Sequence, residues 1–213
     1  MEALHQGWIV MPSIEMKNKV ALIGGSFDPV HLGHLMLFYS AWKHIGIEEL
    51  VVIPALLSNF KQDKKPASFS DRLEMLKLSF IDFKDIYSDS SLSLTLSEIE
   101  GERGGISYTS DTVRSLFDKY EDNGKVNFII GDDLVGSLDR WHDFEYLKSH
   151  VRFFCFKRNP GNAKSIDAEI HYVDSDIYNA SSTDVRCGDS SLLSNRVKEY
   201  IDEHHLYRAL QQG

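Results

Sequence analysis

The feature that most constrains the fold is an apolar run that ends in two glycines and leads into a helical pattern. Residues 20–23, Val-Ala-Leu-Ile, predict a buried strand, and Gly24-Gly25 then turns the backbone sharply. An amphipathic segment, residues 35–45, follows at helical spacing. A tight glycine turn before a helix exposes backbone N–H groups beside the positive end of the helix dipole, where phosphate groups bind. The sequence therefore predicts a phosphate site on the first strand–helix turn of an α/β fold.

Two histidines, His31 and His34, lie three residues apart where this helix begins. At that spacing both side chains share one face of the helix and can reach the same anion. Imidazole donates hydrogen bonds to phosphoryl oxygens whether it is neutral or protonated, and protonation adds charge. The pair therefore favours a phosphate-binding role, while a structural role is the alternative that these residues alone leave open.

The rest of the chain alternates strand and helix patterns. This alternation predicts an α/β, Rossmann-like, doubly wound and mostly parallel sheet with helices on both faces, in which ligands bind at the carboxyl ends of the strands. Gly24-Gly25 and Gly131 both follow predicted strands and so belong to that edge, and a polar loop at 56–69 contains Lys61. Strands are predicted at 50–53, 92–99, 126–130, 151–156 and 171–173, and helices at 70–80 (with Ser70 as N-cap), 111–120 and 196–204.

Length, charge and cysteine content exclude several classes of protein. The chain has 213 residues, which suits one ordinary domain, and its net charge of −9 argues against a general nucleic-acid binder. Two cysteines, Cys155 and Cys187, are too few for a disulfide scaffold, so a reducing, cytoplasmic compartment is expected. No apolar run approaches the ~20 residues of a membrane span. Residues 1–18 lack the pattern of a signal peptide and are expected to form an N-terminal extension, either a start-site extension or a loose tail.

A second candidate anion site lies far along the chain, at residues 181–186, Ser-Ser-Thr-Asp-Val-Arg. Consecutive hydroxyl residues are good helix N-caps and leave backbone N–H groups available. Arg186 follows Ser182 and Thr183 by four and three residues, so it shares their helical face, and its guanidinium can grip a polyphosphate. The alternative is an ordinary Ser/Thr cap followed by a surface arginine.

Several motifs that define other nucleotide-binding or hydrolytic classes are absent. The chain has no Gly-x4-Gly-Lys-Ser/Thr loop and no Gly-x-Gly-x-x-Gly fingerprint, which excludes a P-loop ATPase and disfavours a dehydrogenase. It also lacks a Gly-x-Ser-x-Gly elbow and a His-Glu-x-x-His zinc motif. Ser26 beside His31 is therefore expected to offer a backbone donor rather than to act as an acyl-transfer nucleophile.

These residues carry a resemblance to a known family. Residues 24–34, Gly-Gly-Ser-Phe-Asp-Pro-Val-His-Leu-Gly-His, resemble the first signature of the nucleotidyltransferase superfamily with a His-x-Gly-His motif, and residues 181–186 resemble its second. The segments 106–112, 130–133 with 141–142, and 200–207 are similar to those of bacterial nicotinate-nucleotide adenylyltransferases. The resemblance runs from about residue 20 to residue 207, and it implies that 19–213 form a single nucleotidyltransferase domain.

The resemblance implies adenylyl transfer from ATP to nicotinate mononucleotide, giving deamido-NAD and pyrophosphate, with Mg²⁺ carried by the ATP phosphates. The acceptor phosphate is already an anionic nucleophile, so the reaction needs positioning and charge stabilisation rather than a general base. Nucleic acid and membranes are not expected partners, and the oligomeric state is left open, a homo-oligomer included.

The site residues that the resemblance implies fall into three groups, with no protein ligand to a metal. The catalytic group is His31, His34 and Arg186, which would hold the triphosphate. The ATP-binding group is Gly25, Ser26, Phe27, Gly131, Asp133 (at the ribose), Ser182 and Thr183. The substrate-binding group is Lys61 at the mononucleotide phosphate, with Thr109 and Trp141 at the nicotinate. Asp28 is expected to be a structural turn carboxylate, and the alternative role of Trp141 is that of an ordinary core aromatic.

Two positions depart from the family pattern. The chain has Asn59-Phe60-Lys61 where the family usually has Pro-His-Lys, and Asp132 stands where a small residue is usual. Both concern substrate geometry rather than the type of reaction. Two alternatives are left open: an adenylyl- or cytidylyltransferase acting on nicotinamide mononucleotide or phosphopantetheine, and a catalytically silent nucleotide-binding module.

Overall fold

Six parallel strands form one sheet in the order β3-β2-β1-β4-β5-β6. The computed structural model describes residues 16–57, 67–157, 166–174 and 180–207. The chain thus builds one half of the sheet outward from β1 and then returns to build the other half from β4, which confirms the predicted doubly wound α/β fold. The strands are β1 Val20–Gly25, β2 Glu49–Pro54, β3 Ser93–Leu96, β4 Val126–Gly131, β5 Val151–Lys157 and β6 Ile170–Asp174.

Helices cover both faces of this sheet. They are α1 Leu32–Ile45, α2 Phe69–Ile86, α3 Ile99–Arg103, α4 Thr109–Tyr120, α5 Asp132–Val135, α6 Phe144–His150, α7 Ser182–Arg186 and α8 Asn195–Glu203. Neighbouring residues of β1 point to opposite faces, as the alternation of a strand requires. Ile23 packs in an apolar cluster with residues of α1, α2 and α8, whereas Leu22 packs with residues of α4 and α6.

The predicted start of α2 is wrong by two residues. Its N-cap is Ser68 rather than Ser70, because the Ser68 hydroxyl accepts a hydrogen bond from the Asp71 N–H at 3.0 Å. The helix also continues to Ile86, well beyond the predicted end at 80. Both serines fit an N-cap pattern in the sequence, and the observed side-chain contact decides between them.

The predicted strand at 92–99 ends early, since Leu96 is its last residue and Ile99 begins α3. The glycine at position 101 lies inside α3 rather than in a turn. A Cβ atom there would come within 2.3 Å of the Phe69 ring, so the glycine lets α3 approach the beginning of α2. The turn itself is made by Gly104 and Gly105, whose φ angles of 73° and 76° are in the left-handed region.

A crevice opens between the two central strands. β1 pairs with β2 as far as Gly25 and Pro54, and β4 pairs with β5 as far as Gly131 and Phe156. In contrast, the β1–β4 ladder ends at the pair Ile23–Ile129, two residues short of both strand ends. The order of the strands reverses here, and ligands of doubly wound folds bind at such a reversal.

Residues 16–18 of the predicted extension contact the body of the fold. Met16 is buried, the Lys17 N–H donates to Asp122 Oδ1 at 3.2 Å, and the Asn18 amide donates to the Tyr120 carbonyl at 2.9 Å. Both cysteines have free thiols. Within the described residues, no helix is long and apolar enough to span a membrane.

Candidate active site

The turn after β1 is shaped by Phe27, a non-glycine residue with a φ angle of 46°. Its buried ring folds back over Gly25, where an added Cβ atom would lie 3.0 Å from two ring carbons. The glycine at position 25 is therefore needed for the ring to close over the turn. This arrangement leaves the backbone of 25–27 at the mouth of the crevice between β1 and β4.

The two predicted histidines come together where α1 begins. Their ring centroids are 3.8 Å apart, and the His31 N–H donates to Nδ1 of His34 at 3.2 Å. Because Nδ1 of His34 accepts this bond, a neutral His34 carries its proton on Nε2, which is then a donor. His31 is buried and His34 is half-buried, as expected for a pair that lines a site. The glycine between them, Gly33, is tightly enclosed, since a Cβ atom on it would lie 3.0 Å from His31 Nδ1 and 3.1 Å from the Ala180 Cβ.

The second predicted motif docks onto the first. The Ser182 hydroxyl donates to the Pro29 carbonyl at 3.0 Å, and Nη1 of Arg186 donates to the Asp28 carbonyl at 2.5 Å. Nη2 of Arg186 donates to the Thr183 hydroxyl at 3.1 Å, so these two residues share a face as predicted. Arg186 is only 7% exposed, which excludes the alternative of an ordinary surface arginine.

The carboxylate of Asp28 makes contacts of a structural kind. Its Oδ1 accepts hydrogen bonds from the Tyr207 hydroxyl at 2.7 Å and from the Ala67 N–H at 3.0 Å. Its Oδ2 lies 3.8 Å from Nη1 of Arg186. These contacts support the expectation that Asp28 holds the turn, and they show its partner, Tyr207 of the 200–207 segment, a pairing that the sequence did not predict.

Arg72 is a further residue that the sequence reasoning missed. Among the described residues, its guanidinium donates to four backbone carbonyls, and Arg72 is 2% exposed. Burial lowers the pKa of Arg72, while the nearby Asp28 carboxylate opposes that shift. The sequence does contain one indication that Arg72 is buried. It lies three residues before Met75 and four before Leu76, and both of these are buried on the apolar face of α2. The acceptors are the carbonyls of Ser26 (2.8 Å), Ala55 (2.6 Å), Leu56 (3.1 Å) and Ala67 (3.3 Å).

On the opposite side of the crevice, Asp133 lies against the end of β4. A Cβ atom on Gly131 would lie 2.4 Å from Oδ1 of Asp133, so the glycine leaves the space that this carboxylate occupies. Asp133 is exposed and Asp132 is half-buried. An exposed carboxylate at the switch point is suitably placed to accept hydrogen bonds from a ribose.

The beginning of α4 is tied to the ends of two other segments. The Leu56 N–H donates to the Ser107 hydroxyl at 2.9 Å, which holds the approach to Thr109 against the segment after β2. The Tyr108 ring stacks on His142 at 4.2 Å, and the Ser110 hydroxyl lies 3.0 Å from Nδ1 of His142. Tyr108 and Ser110, which flank Thr109 in the chain, thus both contact His142, the residue that follows Trp141.

Trp141 contacts the core but has an unsatisfied polar atom. Its ring packs edge-on against Phe153 with centroids 6.4 Å apart, while its buried Nε1 has no hydrogen-bond acceptor in the part of the chain that the structure describes. A buried donor without an acceptor is unusual in a purely structural residue. Lys61, like Asn59 and Phe60, lies outside the described residues.

Within 16–57, 67–157, 166–174 and 180–207, no three His, Cys, Asp or Glu side chains are grouped so as to hold a metal ion. The anion-binding features around the crevice are backbone N–H groups, two histidines and a buried arginine. Such a set is suited to a ligand with several phosphate groups.

Residues 22–188 match a family model described as cytidylyltransferase-like. This match covers more than half of the chain, and the chain belongs to this family of nucleotidyltransferases.

Similar proteins have names that specify a reaction. The chain is 33% identical to the nicotinate-nucleotide adenylyltransferase of Bacillus subtilis over 198 residues, which are 90% of this chain and 100% of the relative. It is 38% identical to a probable nicotinate-nucleotide adenylyltransferase of Treponema pallidum over 137 residues, 63% of each chain. Among solved structures, the Plasmodium falciparum nicotinic acid mononucleotide adenylyltransferase complexed with NaAD has the same fold, with a TM-score of 0.68 at 20% identity over 88% of this chain and 96% of the other.

Proposed function

We propose that this protein is an enzyme of NAD biosynthesis, a nicotinate-nucleotide adenylyltransferase. It would transfer the adenylyl group of ATP to nicotinate mononucleotide and release deamido-NAD and pyrophosphate. The observation that carries the proposal is the docking of α7 onto the β1–α1 turn, through Ser182 to Pro29 and Arg186 to Asp28, beside the crevice at the switch point. The similarity to the Bacillus subtilis enzyme over that relative's whole length supports the choice of reaction.

The proposed chemistry is a direct displacement at phosphorus. A phosphate oxygen of the mononucleotide forms a bond to the α-phosphorus of ATP as the bond from that phosphorus to the bridging oxygen of pyrophosphate breaks. The nucleophile is already an anion, so no base has to remove a proton. The protein then contributes by aligning the two nucleotides and by stabilising charge on the phosphoryl oxygens.

The residues around the crevice are assigned to ATP as follows. His31 and His34 contact the triphosphate, with Nε2–H of His34 as a donor, and the backbone of Gly25, Ser26 and Phe27 provides further donors. Arg186 and the backbone N–H groups of Ser182 and Thr183 bind the β- and γ-phosphates. The backbone of Ser182 is assigned this role, and not its hydroxyl, because the hydroxyl already donates to the Pro29 carbonyl. Asp133, beside Gly131, accepts hydrogen bonds from the ribose.

The acceptor nucleotide is assigned to the β2–α4 side. Backbone N–H groups at the start of α4, around Thr109, suit the carboxylate of nicotinate, since the first N–H groups of a helix have no partner inside it. Trp141 contacts the nicotinate ring. Lys61 contacts the mononucleotide phosphate.

Magnesium is proposed to arrive with ATP. This ion keeps several waters and is commonly held by substrate phosphates with few protein ligands, so it needs no cage of protein carboxylates. The charge it supplies would offset part of the negative charge on the leaving pyrophosphate. We also propose a cytoplasmic location, in keeping with the two free thiols.

Replacing Arg186 by lysine tests its role at the phosphates. Lysine keeps the charge but cannot make the two separate contacts of Nη1 and Nη2, so we expect kcat/KM for ATP to fall about 10–100-fold. The control is Arg196→Lys, since Arg196 on α8 forms ion pairs with Asp82 and Asp85 of α2 and is not part of the proposed site. Unchanged ATP kinetics in Arg186→Lys would remove this residue from the proposed site.

Acceptor choice tests the proposed substrate. Pyrophosphate release is measured with ATP, Mg²⁺ and either nicotinate or nicotinamide mononucleotide. Donors placed for a carboxylate are poorly matched by an amide NH₂ group, so we expect kcat/KM for the acid to be higher by about 10–100-fold. Equal or better use of the amide would assign the enzyme to the nicotinamide nucleotide and leave adenylyl transfer standing, and no pyrophosphate with either would point to phosphopantetheine or to a silent module.

A further inference from the structure

The chain makes an unusual turn after α8. His205 and Tyr207 have φ angles of 55° and 64°, a conformation that non-glycine residues seldom adopt. The Leu206 N–H donates to the Ile201 carbonyl at 3.0 Å, which closes the turn. Backbone in such a conformation persists only where the surrounding contacts require it. Here the turn carries the Tyr207 ring back from the end of the helix to the β1–α1 loop.

The hydroxyl of Tyr207 is a dedicated donor to Asp28. It donates to Oδ1 of that carboxylate at 2.7 Å, and Asp28 is 8% exposed. Burial and the charge of Asp28 raise the pKa of Tyr207 well above its usual value. The phenol therefore keeps its proton throughout the neutral pH range and remains a donor.

The geometry around Asp28 shows what this bond prevents. Nη1 of Arg186 donates to the Asp28 carbonyl, yet it remains 3.8 Å from the carboxylate oxygen Oδ2. A buried carboxylate and guanidinium at that separation attract each other strongly. With Tyr207 and Ala67 holding Oδ1, the ion pair between Asp28 and Arg186 stays at 3.8 Å and does not close to a hydrogen-bonded contact that would occupy a guanidinium N–H group.

We propose that Tyr207 is a positioning residue for ATP that acts through Asp28 to keep the Arg186 guanidinium available for phosphate. The inference rests on the proposed function, because it takes Arg186 to be a ligand of the β- and γ-phosphates. It assigns the C-terminal turn a part in nucleotide affinity through the bond from Tyr207 to Asp28.

The direct test is Tyr207→Phe, which keeps the ring and removes only the hydroxyl. Losing a hydrogen bond to a charged group at this point should raise KM for ATP, and Kd for ATP measured by calorimetry, about 10-fold. KM for nicotinate mononucleotide should change by less than about 2-fold, because the Ala67 bond to Asp28 remains. A merely structural role would lower stability and affect both nucleotides alike.

A matched control lies on α8, the helix that precedes this turn. The hydroxyl of Tyr200 donates to Oδ1 of Asp71 at 3.0 Å, and burial with that carboxylate raises the pKa of Tyr200 to about 12. Tyr200→Phe therefore removes the same kind of bond, from a tyrosine hydroxyl to an aspartate, but one that involves neither Asp28 nor Arg186. We expect its KM and Kd for ATP to equal those of the wild type.

A second variant separates the mechanism from general loosening of the turn. Asp28→Asn removes the negative charge that competes for Arg186. In the Asp28→Asn protein, the added change Tyr207→Phe should therefore weaken ATP binding by less than about 3-fold, whereas Tyr207→Phe alone should weaken it about 10-fold. Additive effects in the two backgrounds, or equal losses for ATP and the mononucleotide, would overturn the proposal, as would wild-type ATP affinity in Tyr207→Phe. Calorimetry with ATP reads the effect even if the wild type fails to use nicotinate mononucleotide, so failure of the proposed function is seen separately.

Discussion

The His34→Ala enzyme is expected to turn over about 10²–10³-fold more slowly than the wild type, the loss typical of removing one preorganised donor from a developing oxyanion. His34 accepts from the His31 N–H through Nδ1, so a neutral His34 carries its proton on Nε2, the atom that the proposed function assigns to phosphate. The measurement is pyrophosphate release at saturating ATP and nicotinate mononucleotide. The helix itself should form, because the buried Leu35, Leu37 and Phe38 anchor it.

The same hydrogen bond means that His34→Ala also removes a helix cap, which costs about 1 kcal/mol of stability. His34→Gln separates the two roles, since a glutamine at this position of a helix can still accept from the N-cap N–H. We expect its unfolding midpoint to be close to that of the wild type while its turnover stays low. His44→Ala, in the last turn of the same helix, is the control. Near-normal turnover in folded His34→Ala would contradict the assignment.

Replacing Arg72 by methionine should lower the free energy of unfolding by about 3–5 kcal/mol. Methionine fills much of the volume but leaves the carbonyls of Ser26, Ala55 and Leu56 without their donor in a buried place. Those carbonyls belong to the residues that directly follow β1 and β2, two neighbouring strands. Urea denaturation followed by circular dichroism measures the change.

Lys77→Met is the matched control for this experiment. Lys77 lies on the same helix as Arg72, and its 3.7 Å ion pair with Glu74 is at the surface, with about half of each side chain exposed. Its removal should change stability by less than about 0.5 kcal/mol. If Arg72→Met lost no more stability than Lys77→Met, then water or a rearranged donor would have to satisfy the three carbonyls.

The parts of the site that follow from local geometry could be predicted from the sequence. The strand that leads into a helix places the β1–α1 turn correctly, although Gly24 and Gly25 are the last residues of β1 and the backbone turns at Phe27 instead. The spacing of His31 and His34 brings their rings within contact because it is close to one helical turn. The same holds for Thr183 and Arg186 in α7. Alternating strands and helices also gave the correct fold class, because few connections are compatible with a parallel sheet.

The contacts that join distant segments could not be predicted in this way. Arg72 meets Ser26 across 46 residues, Arg186 meets Asp28 across 158, and Tyr207 meets Asp28 across 179. A single sequence contains no periodicity that relates such positions. The predicted start of α2 was wrong for a different reason. Ser68 and Ser70 fit the N-cap pattern equally well, and they are distinguished only by the hydrogen bond from the Asp71 N–H to the Ser68 hydroxyl.

The enclosure of Gly33 couples the packing of the two halves of the site. The position of its missing side chain is bounded on one side by His31 and on the other by Ala180, which immediately precedes the motif at 181–186. A Cβ atom at position 33 would require both the histidine ring and the segment before α7 to shift by a few tenths of an ångström. One glycine therefore sets how closely two segments 147 positions apart in the sequence approach each other.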